Sequence, residues 1–382
     1  MRDVAVVAGY VVRCPLAGYG LQALHYLLGL RQLGFDVWFY EDTAHYPACF
    51  DPPSGTMGPV REPALRFAAA LFAAHGLGER WLFHDAQRDR WHGNVDGRAA
   101  LAETRLLVGL AAVNRLPRHV GRRRLFVDLD PGVTQIAAAR DAQLAALLDE
   151  YDAHATIGER IGRPECAVPT GGRAWLPTRQ PVVLELWPVA PLPRDAPFTT
   201  VGRWDEPGRS QELGGVRYGW SKRDEWLRLL DLPARSGGRF RPALDVDKQP
   251  GDAALLAAHG WQCVDPLAVS TDIAAYRAFI DASRGEFSTA KELNVRLATG
   301  WFSDRSACYL AAGRPVVVQD TGLAGTLPTG AGLLPFGDAD RAAGAVRAVL
   351  DDWPLHSAAA RRIAEQHFAA SRVLGDLLAR VL

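Results

Sequence analysis

The first forty residues alternate between strand-like and helix-like patterns, and this alternation constrains the fold more than any other feature of the chain. Residues 4–12 form a nearly continuous apolar run rich in valine, as expected of a parallel strand covered on both faces. A loop containing glycines follows at residues 13–20, and then come a leucine-rich helical stretch and a second strand at residues 37–40. This is the pattern of a βαβ unit, which predicts a parallel sheet flanked by helices.

Later segments also alternate between predicted strands and helices, and they form two successive series along the chain. In the first series, residues 63–75 and 98–113 are predicted to be helices and residues 124–127 a buried strand. A second series has strands at 240–246 and 315–318 and ends in a helix over 356–382. Because 382 residues exceed one ordinary core, at roughly 100 to 200 residues per domain, we expect two domains. The predicted fold class is α/β, with two Rossmann-like domains, residues 1–192 and 193–382, facing each other across a cleft.

The overall charge and the cysteines narrow the functional classes. Lys plus Arg equals Asp plus Glu at 43 each, so no basic excess favours nucleic acid as a partner. The five cysteines are scattered, without the spacing of a metal site, which favours reduced thiols in the cytoplasm. No window has the length of a membrane span and no segment has the pattern of a signal peptide, so we expect a cytoplasmic protein without an integral membrane segment.

Residues directly after strands are the candidate ligand contacts, because doubly wound sheets bind ligands beyond the carboxyl ends of their strands. The loop after the first strand contributes Arg13, Gly18 and Gly20 as candidate acceptor or cleft residues, although the two glycines would also suit a simple turn. This loop lacks both the GxGxxG and the P-loop pattern. The sequence therefore argues against a Rossmann oxidoreductase and against an ATP site.

The strongest local signal for anion binding lies in residues 283–306. Hydroxyl residues and glycines at predicted helix starts offer backbone N–H groups, and basic side chains add positive charge for a group that carries two phosphates. Trp301 adds a stacking surface for a sugar or a nucleobase. The candidate donor-binding residues here are Ser283, Arg284, Glu286, Ser288, Lys291, Trp301, Phe302, Ser303, Asp304, Arg305 and Ser306. Ser303 and Asp304 would also suit a helix cap and the helix dipole.

The segment that follows carries a family resemblance. A helix ending in small residues, then Gly313-Arg-Pro-Val-Val-Val318, then Asp320-Thr-Gly322, resembles the donor-binding region of GT-B glycosyltransferases over roughly forty residues. The resemblance implies that Gln319, Asp320, Thr321 and Gly322 face the donor sugar, that residues 304–306 face ribose and phosphate, and that the last helix crosses back to the first domain. Many family members hold the ribose with a glutamate where this chain has Cys308, so Asp304 or Glu286 would take that role.

A base for the acceptor hydroxyl is sought on the first domain. Asp128 and Asp130 follow a predicted strand and are the first choice, with Thr134 and Gln135 as cleft residues at the next helix start; a turn with an N-cap would explain the same residues. His25 is the second choice, although a histidine in mid-helix often belongs to the core. The third choices are His92 and the carboxylates at residues 41 and 42.

The resulting hypothesis is a metal-independent glycosyltransferase of natural-product or glycan biosynthesis. The C-terminal domain would bind a nucleoside diphosphate sugar of the UDP or TDP type as co-substrate, and the N-terminal domain would bind a small-molecule acceptor. Helix dipoles, arginine and lysine would replace a metal ion, no other cofactor is expected, and a homodimer is possible. The alternatives are a nucleotide-sugar epimerase or glycan phosphorylase of the same fold, and a noncatalytic two-domain ligand-binding protein.

Overall fold

A computed structural model describes residues 3–111 and 113–382. The strands of the N-terminal half are β1 (Val4–Ala8), β2 (Asp36–Asp42), β3 (Cys49–Asp51), β4 (Thr56–Gly58), β5 (Trp81–Asp85), β6 (Arg90–Gly93), β7 (Thr104–Leu110), β8 (Arg123–Asp128), β9 (Ala153–Thr156) and β10 (Trp175–Pro177). Its helices are α1 (Ala17–Gln32), α2 (Glu62–Ala74), α3 (Arg98–Ala102), α4 (Val133–Ala138) and α5 (Ala142–Leu148).

The strands of the C-terminal half are β11 (Phe198–Thr199), β12 (Val201–Gly202), β13 (Gln211–Leu213), β14 (Val216–Tyr218), β15 (Ala243–Leu244), β16 (Gly285–Ser288), β17 (Val316–Gln319) and β18 (Leu333–Phe336). Its helices are α6 (Arg223–Leu227), α7 (Leu232–Ser236), α8 (Asp252–Ala258), α9 (Pro266–Ser270), α10 (Ile273–Asp281), α11 (Glu292–Arg296), α12 (Asp304–Ala311), α13 (Ala339–Asp351), α14 (Trp353–His367) and α15 (Ala370–Leu378).

The N-terminal half is built on one twisted sheet with the order β10-β9-β8-β7-β1-β2-β5-β6, parallel except for β6. Every residue of β1 is buried, as the valine-rich run predicts. The chain leaves the strand at Ala8, four residues earlier than expected. One predicted element is wrong: residues 104–110, expected in a helix, form the central strand β7. Gly109 is needed there because a Cβ would lie 2.3 Å from the Tyr151 hydroxyl.

The C-terminal half has a second parallel sheet, ordered β11-β16-β17-β18. Parallel bridges from Phe198 to Phe240 and from Phe240 to Trp261 add two more chain segments beyond β11. In chain order the six segments are then arranged 3-2-1-4-5-6, which is the Rossmann arrangement. The predicted α/β fold class with two Rossmann-like sheets is confirmed.

The carboxyl ends of the parallel strands in one sheet face the carboxyl ends of those in the other. Gly158, after β9, forms a bridge with Trp301 of the second half. Gly132, after β8, packs so closely on Leu293 that a Cβ would lie 2.4 Å from its Cδ2. The space between these loops is the cleft, and side chains at the carboxyl ends of both sheets line it.

The end of the chain returns to the first half. The predicted helix over residues 356–382 is two helices, α14 and α15, separated at Phe368 and Ala369. The break pairs with the segment between the two halves, since the N–H of Val182 donates to Phe368 O at 2.7 Å and the N–H of Ala370 donates to Val182 O at 2.8 Å. Helix α15 then packs on α1, where Gly29 makes room for Leu374.

Candidate active site

Arg13, expected in the cleft, instead fixes the loop after β1. The buried Glu41 carboxylate accepts N–H bonds from Val11 at 2.7 Å, Val12 at 2.8 Å and Arg13 at 2.9 Å. Its Oε1 also accepts from Arg13 Nε at 3.0 Å, and the Arg13 guanidinium reaches Asn114 Oδ1. Arg13 is therefore a buried structural residue, and its assignment as an acceptor contact is wrong. The loop it fixes forms one wall of the cleft.

The candidate bases after β8 fall into two environments. Asp128 is fully buried and its carboxylate accepts from Thr134 Oγ1, Gln135 Nε2 and Thr156 Oγ1, each at 2.7 Å. Burial raises its pKa, and no oxygen is directed to the cleft. Asp128, Thr134 and Gln135 therefore organise the loop internally, which corrects their assignment as catalytic and cleft residues. Only Asp130 reaches the cleft.

Asp130 meets the second half directly. Its Oδ2 accepts from Arg209 Nη2 at 2.7 Å, and both side chains are part-exposed. Arg209 follows β12 of the second sheet, so the ion pair crosses the cleft. Of the two aspartates predicted as bases, Asp130 is the one placed beside a possible ligand.

His25 lies in the core between the two halves. The N–H of Val183 donates to its Nδ1 at 3.0 Å, while Trp187 Nε1 and Cys308 Sγ lie 3.3 Å and 3.8 Å from its Nε2. Burial lowers the pKa of His25 to about 3, so the ring is neutral and enclosed. His25 as a catalytic base is therefore wrong. The neighbouring Cys308, at the position where many GT-B members hold ribose, also faces this core.

The remaining N-terminal candidates lie apart from one another. His92 is on the edge strand β6, separated from β1 by β2 and β5, where its ring stacks near Phe83, so its placement in the cleft is wrong. Gly20 serves packing, because a Cβ would lie 2.9 Å from Leu71 on α2. Gly18 is different: it has open space around it and borders a cavity between the two halves.

Ser283 and Arg284 lie at the wrong end of β16 for a donor site. They precede the strand, whereas the cleft is at its carboxyl end. Ser283 is buried and bonded to Phe279 O, and Arg284 donates to the backbone carbonyls of Ala196 and Arg194. Because Ser283 and Arg284 precede β16, their assignment as diphosphate contacts is wrong. Ser288 and Lys291, which follow the same strand, are on the cleft side.

Arg305 forms the floor of the donor side. Its Nε donates to Glu286 Oε1 at 2.6 Å, its Nη1 to Val201 O at 2.7 Å and its Nη2 to Ser288 Oγ at 3.1 Å. Glu286 is completely buried: its Oε1 is held by Arg305 and Thr200, while its Oε2 has no hydrogen-bond partner among the described residues, so its role toward ribose stays a prediction. Asp304 is the other ribose candidate, and its Oδ2 accepts a hydrogen bond of 3.2 Å from Nε2 of Gln22 in the first half. These contacts place Arg305 under the cleft with its orientation fixed.

The other residues around this floor divide into packing and lining groups. Phe302 packs against Phe368 and also borders a crevice beside Arg305. This crevice measures about 10 Å³, and Ser288, Thr289, Trp301, Ser303 and Ser306 line it as well. The Thr289 hydroxyl is buried and has no hydrogen-bond partner among the described residues. An unsatisfied hydroxyl in a cavity is costly unless a ligand or water completes it.

The loop after β17 holds its own shape. Asp320 Oδ1 accepts from the N–H groups of Gly322 and Leu323, and Thr321 donates to Trp301 O. Gln319 donates to Glu225 at 2.5 Å. The loop thus reaches the cleft with most of its side-chain polar atoms already paired, and Gly322 has φ of +93°, a conformation that favours glycine.

The sequence pattern predicted Lys291 and Arg305 on the donor side but not Lys222, Arg203 or Arg209. Lys222 is buried, 5.9 Å from the Trp301 ring, and forms no ion pair within the described residues. Burial, with the nearby charges of Arg305 and Lys291, lowers its pKa to about 7. A signal was present: Lys222 is one of only three lysines among the 43 basic residues. Two of the three lie in the cleft, whereas Lys248 is exposed and pairs with Asp245.

Lys291 and Arg203 complete this cluster. Lys291 Nζ lies 3.7 Å from the centroid of Trp220 and 2.8 Å from Glu206 Oε2. Arg203, directly after β12, is close enough to act electrostatically on Cys14 in the loop after β1. The basic side chains of the cleft are Arg203, Arg209, Lys222, Lys291 and Arg305, and the carboxylates are Asp130, Glu206, Glu286 and Asp304. Basic side chains therefore slightly outnumber carboxylates in this cluster.

Several solved structures with the same architecture are glycosyltransferases. Sucrose-phosphate synthase from Thermosynechococcus elongatus has a TM-score of 0.55 at 15% identity, covering 100% of this chain and 99% of that one. HepE from Anabaena, in complex with UDP-glucose, has a TM-score of 0.57 at 11% identity with complete coverage of both chains. An alpha-glucosyltransferase in complex with UDP and a 13-mer DNA has a TM-score of 0.56 at 8% identity, also with complete coverage. The chain has the fold of the GT-B glycosyltransferases, which confirms the resemblance at the level of fold.

The sequence matches no family model, and the described residues offer neither a membrane-spanning helix nor a cluster of metal ligands. No protein-family model and no curated protein matches the sequence. In residues 3–111 and 113–382, no helix combines the length and apolar character that crossing a bilayer requires. The same residues contain no group of three or more His, Cys, Asp or Glu side chains arranged to bind a metal ion.

Proposed function

We propose that the protein transfers a sugar from a nucleoside diphosphate sugar to a small-molecule acceptor, with the donor on the C-terminal half. The observation that carries this proposal is Lys222, a buried and unpaired cation beside Trp301 at the carboxyl end of the second sheet. A buried charge without a partner is costly. A diphosphate would supply the missing anion.

The charges of the cluster suit that ligand. Five basic side chains lie with four carboxylates, and Lys222, whose pKa is about 7, would gain its full charge when an anion binds beside it. As the bond between sugar and diphosphate breaks, negative charge grows on the departing phosphate, and preorganised cations stabilise it. Lysine and arginine supply this charge in the proposal, which is why it needs no metal ion.

Uridine is the nucleotide that we propose to test first. HepE was solved with UDP-glucose and the alpha-glucosyltransferase with UDP. The same alpha-glucosyltransferase was solved with DNA, but the zero net charge of this chain offers no general attraction for a polyanion. A small molecule is therefore the acceptor class proposed.

The test compares two lysines. Lys222→Ala should weaken UDP binding roughly 10- to 100-fold, the loss expected for one charge-assisted contact of about 1.5–3 kcal/mol. Lys248→Ala, which removes an exposed lysine, is the matched control and should bind as the wild type does. Isothermal titration with UDP measures both. Equal affinity in the two variants would contradict the assignment of Lys222.

A product assay then tests transfer itself. When the protein is incubated with UDP-glucose, UDP should be released slowly without an acceptor and faster when an acceptor is present. The mass of the acceptor should increase by one hexose. Release of UDP that no acceptor accelerates, or conversion of the donor to an epimer, would oppose a transferase.

A further inference from the structure

A second, more apolar cavity opens beside the cleft. It offers about 540 Å³ of space between the β3–β4 hairpin, helix α2 and helix α9 of the second half. Five of its lining residues are prolines: Pro15, Pro52, Pro53, Pro59 and Pro63. We call it the proline pocket. Proline has a rigid ring and no backbone N–H, so these walls are preformed and apolar.

Several polar groups of the proline pocket are engaged with one another or with the backbone, and the exposed Arg61 guanidinium keeps free donors. Asp51 accepts from Ser54 Oγ at 2.6 Å and pairs with Arg61 at 3.4 Å. Asp265 accepts from the N–H of Leu267, and Thr271 Oγ1 donates to Leu267 O. A sugar or another polyol needs many free donors and acceptors, which these walls do not offer. An apolar ligand needs few.

The loop after β1 connects the proline pocket with the cleft. Pro15, in this loop, lines the pocket. Three residues later, Gly18 borders the cavity that also contacts Arg305. The N–H of Phe50, on the hairpin, donates to Arg13 O at 2.7 Å and holds the hairpin against this loop. A ligand in the pocket therefore adjoins the donor side.

We infer that the proline pocket binds the acceptor, and that the acceptor is a small alcohol or phenol with an apolar ring system; this inference rests on the proposed transferase function. Flat ring faces match the preformed proline walls, and one hydroxyl points along the loop after β1 to the cleft. The hydroxyl oxygen bonds to the anomeric carbon of the donor. The bond from that carbon to the phosphate oxygen breaks with its electron pair on UDP, and the hydroxyl proton is released to solvent.

The first experiment compares three probes with UDP-glucose as donor: 4-methylumbelliferone for a ring, 1-octanol for a chain and glucose for a polyol. We expect 4-methylumbelliferone to be glucosylated with the highest kcat/KM of the three probes. Mass spectrometry detects the glucosylated product. Faster transfer to octanol or to glucose, or no transfer to the ring compound, would overturn the inference.

The second experiment fills the proline pocket. Ala268, exposed on α9, lines it, so Ala268→Trp should raise KM for 4-methylumbelliferone about tenfold or more by occupying the space. The control is Ala254→Trp, on the exposed surface of α8 away from the pocket. Both variants should bind UDP within about twofold of the wild type, as one helix-surface change does not reach the cation cluster.

UDP binding separates the two ways to fail. If the wild type binds no UDP, the proposed function and the inference fall together. If UDP binds and Ala268→Trp leaves the KM of the ring acceptor unchanged, only the assignment of the proline pocket is overturned.

Discussion

Lys222 is the residue whose charge the fold controls most directly. Its ammonium group is removed from water and placed near Arg305 and Lys291, and both effects favour the neutral form, so the pKa of Lys222 falls to about 7. The unliganded protein is therefore a mixture of charged and neutral Lys222 near neutral pH. An anionic ligand would favour the charged form.

This predicts proton uptake on UDP binding. Above pH 7, UDP should restore the proton to Lys222, and the affinity should fall with rising pH by at most roughly tenfold per unit. Titration calorimetry in buffers of different ionisation enthalpy measures the protons taken up. Without ligand, the unfolded chain holds this proton more tightly, so the residue's contribution to the free energy of unfolding should rise from pH 7 to pH 10.

Lys222→Arg is the matched variant. Arginine stays charged at these pH values, so proton uptake from this residue should disappear. The same uptake in wild type and variant would show that another group titrates.

At this scale, sequence predicts residue types better than residue roles. Ser283 and Arg284 differ from Ser288 and Lys291 only by their position before or after a four-residue strand. A boundary error of a few residues therefore moves a cation from the cleft to the far edge of the sheet. His25 needed the whole fold, since its partner Val183 is distant in sequence and comes from the segment between the two halves.

Among the elements, strongly periodic or continuous apolar segments were predicted well. The run that became β1 and the leucines of α1 were recognised from periodicity alone. Strand β7 was mistaken for a helix because a short apolar run has the same composition in a buried helix and a buried strand. The break between α14 and α15 has no proline or glycine at Phe368 and Ala369, and it exists because those residues pair with Val182.

The contact between α1 and α15 gives a prediction for one element pair. A Cβ on Gly29 would lie 2.6 Å from Leu374 Cδ1 and 2.9 Å from Ala370 Cβ. Gly29→Ala should therefore lower the free energy of unfolding by about 1–2 kcal/mol, after the gain in helix propensity is counted. Urea unfolding followed by circular dichroism measures this change.

Gly344 provides the control within a helix. No atom lies within 4 Å of a Cβ placed there, so Gly344→Ala should stabilise the protein by up to about 1 kcal/mol. Equal shifts of the same sign in both variants would indicate that α15 does not pack tightly on α1.

On the scale of the whole molecule, both polar contacts and packed loops join the two halves across the cleft. Leu293 packs on Gly132, and the ion pair of Asp130 with Arg209 closes the same side. Sequence could predict that two sheets face each other, because strand order sets where loops meet. It could not predict these pairs, since each joins residues whose spacing in the chain carries no signal.

Reversing the ion pair tests its role in closure. Asp130→Arg should lower kcat at least about tenfold, because two like charges would then face each other across the closing surface. Adding Arg209→Asp should restore kcat to within about threefold. Because both side chains are part-exposed, unfolding should change little. An inactive double variant with unchanged folding would instead show that Asp130 or Arg209 has a role in the reaction beyond their ion pair.

The position of α15 also determines the order in which the protein can be completed during synthesis. The surface of α1 that receives Leu374 stays open until α15 has left the ribosome, because the two helices lie far apart in the chain. The N-terminal half can collapse early, as domains generally do during translation, but it stays uncovered on that side. Final maturation of the first half must therefore wait for α15 to be made.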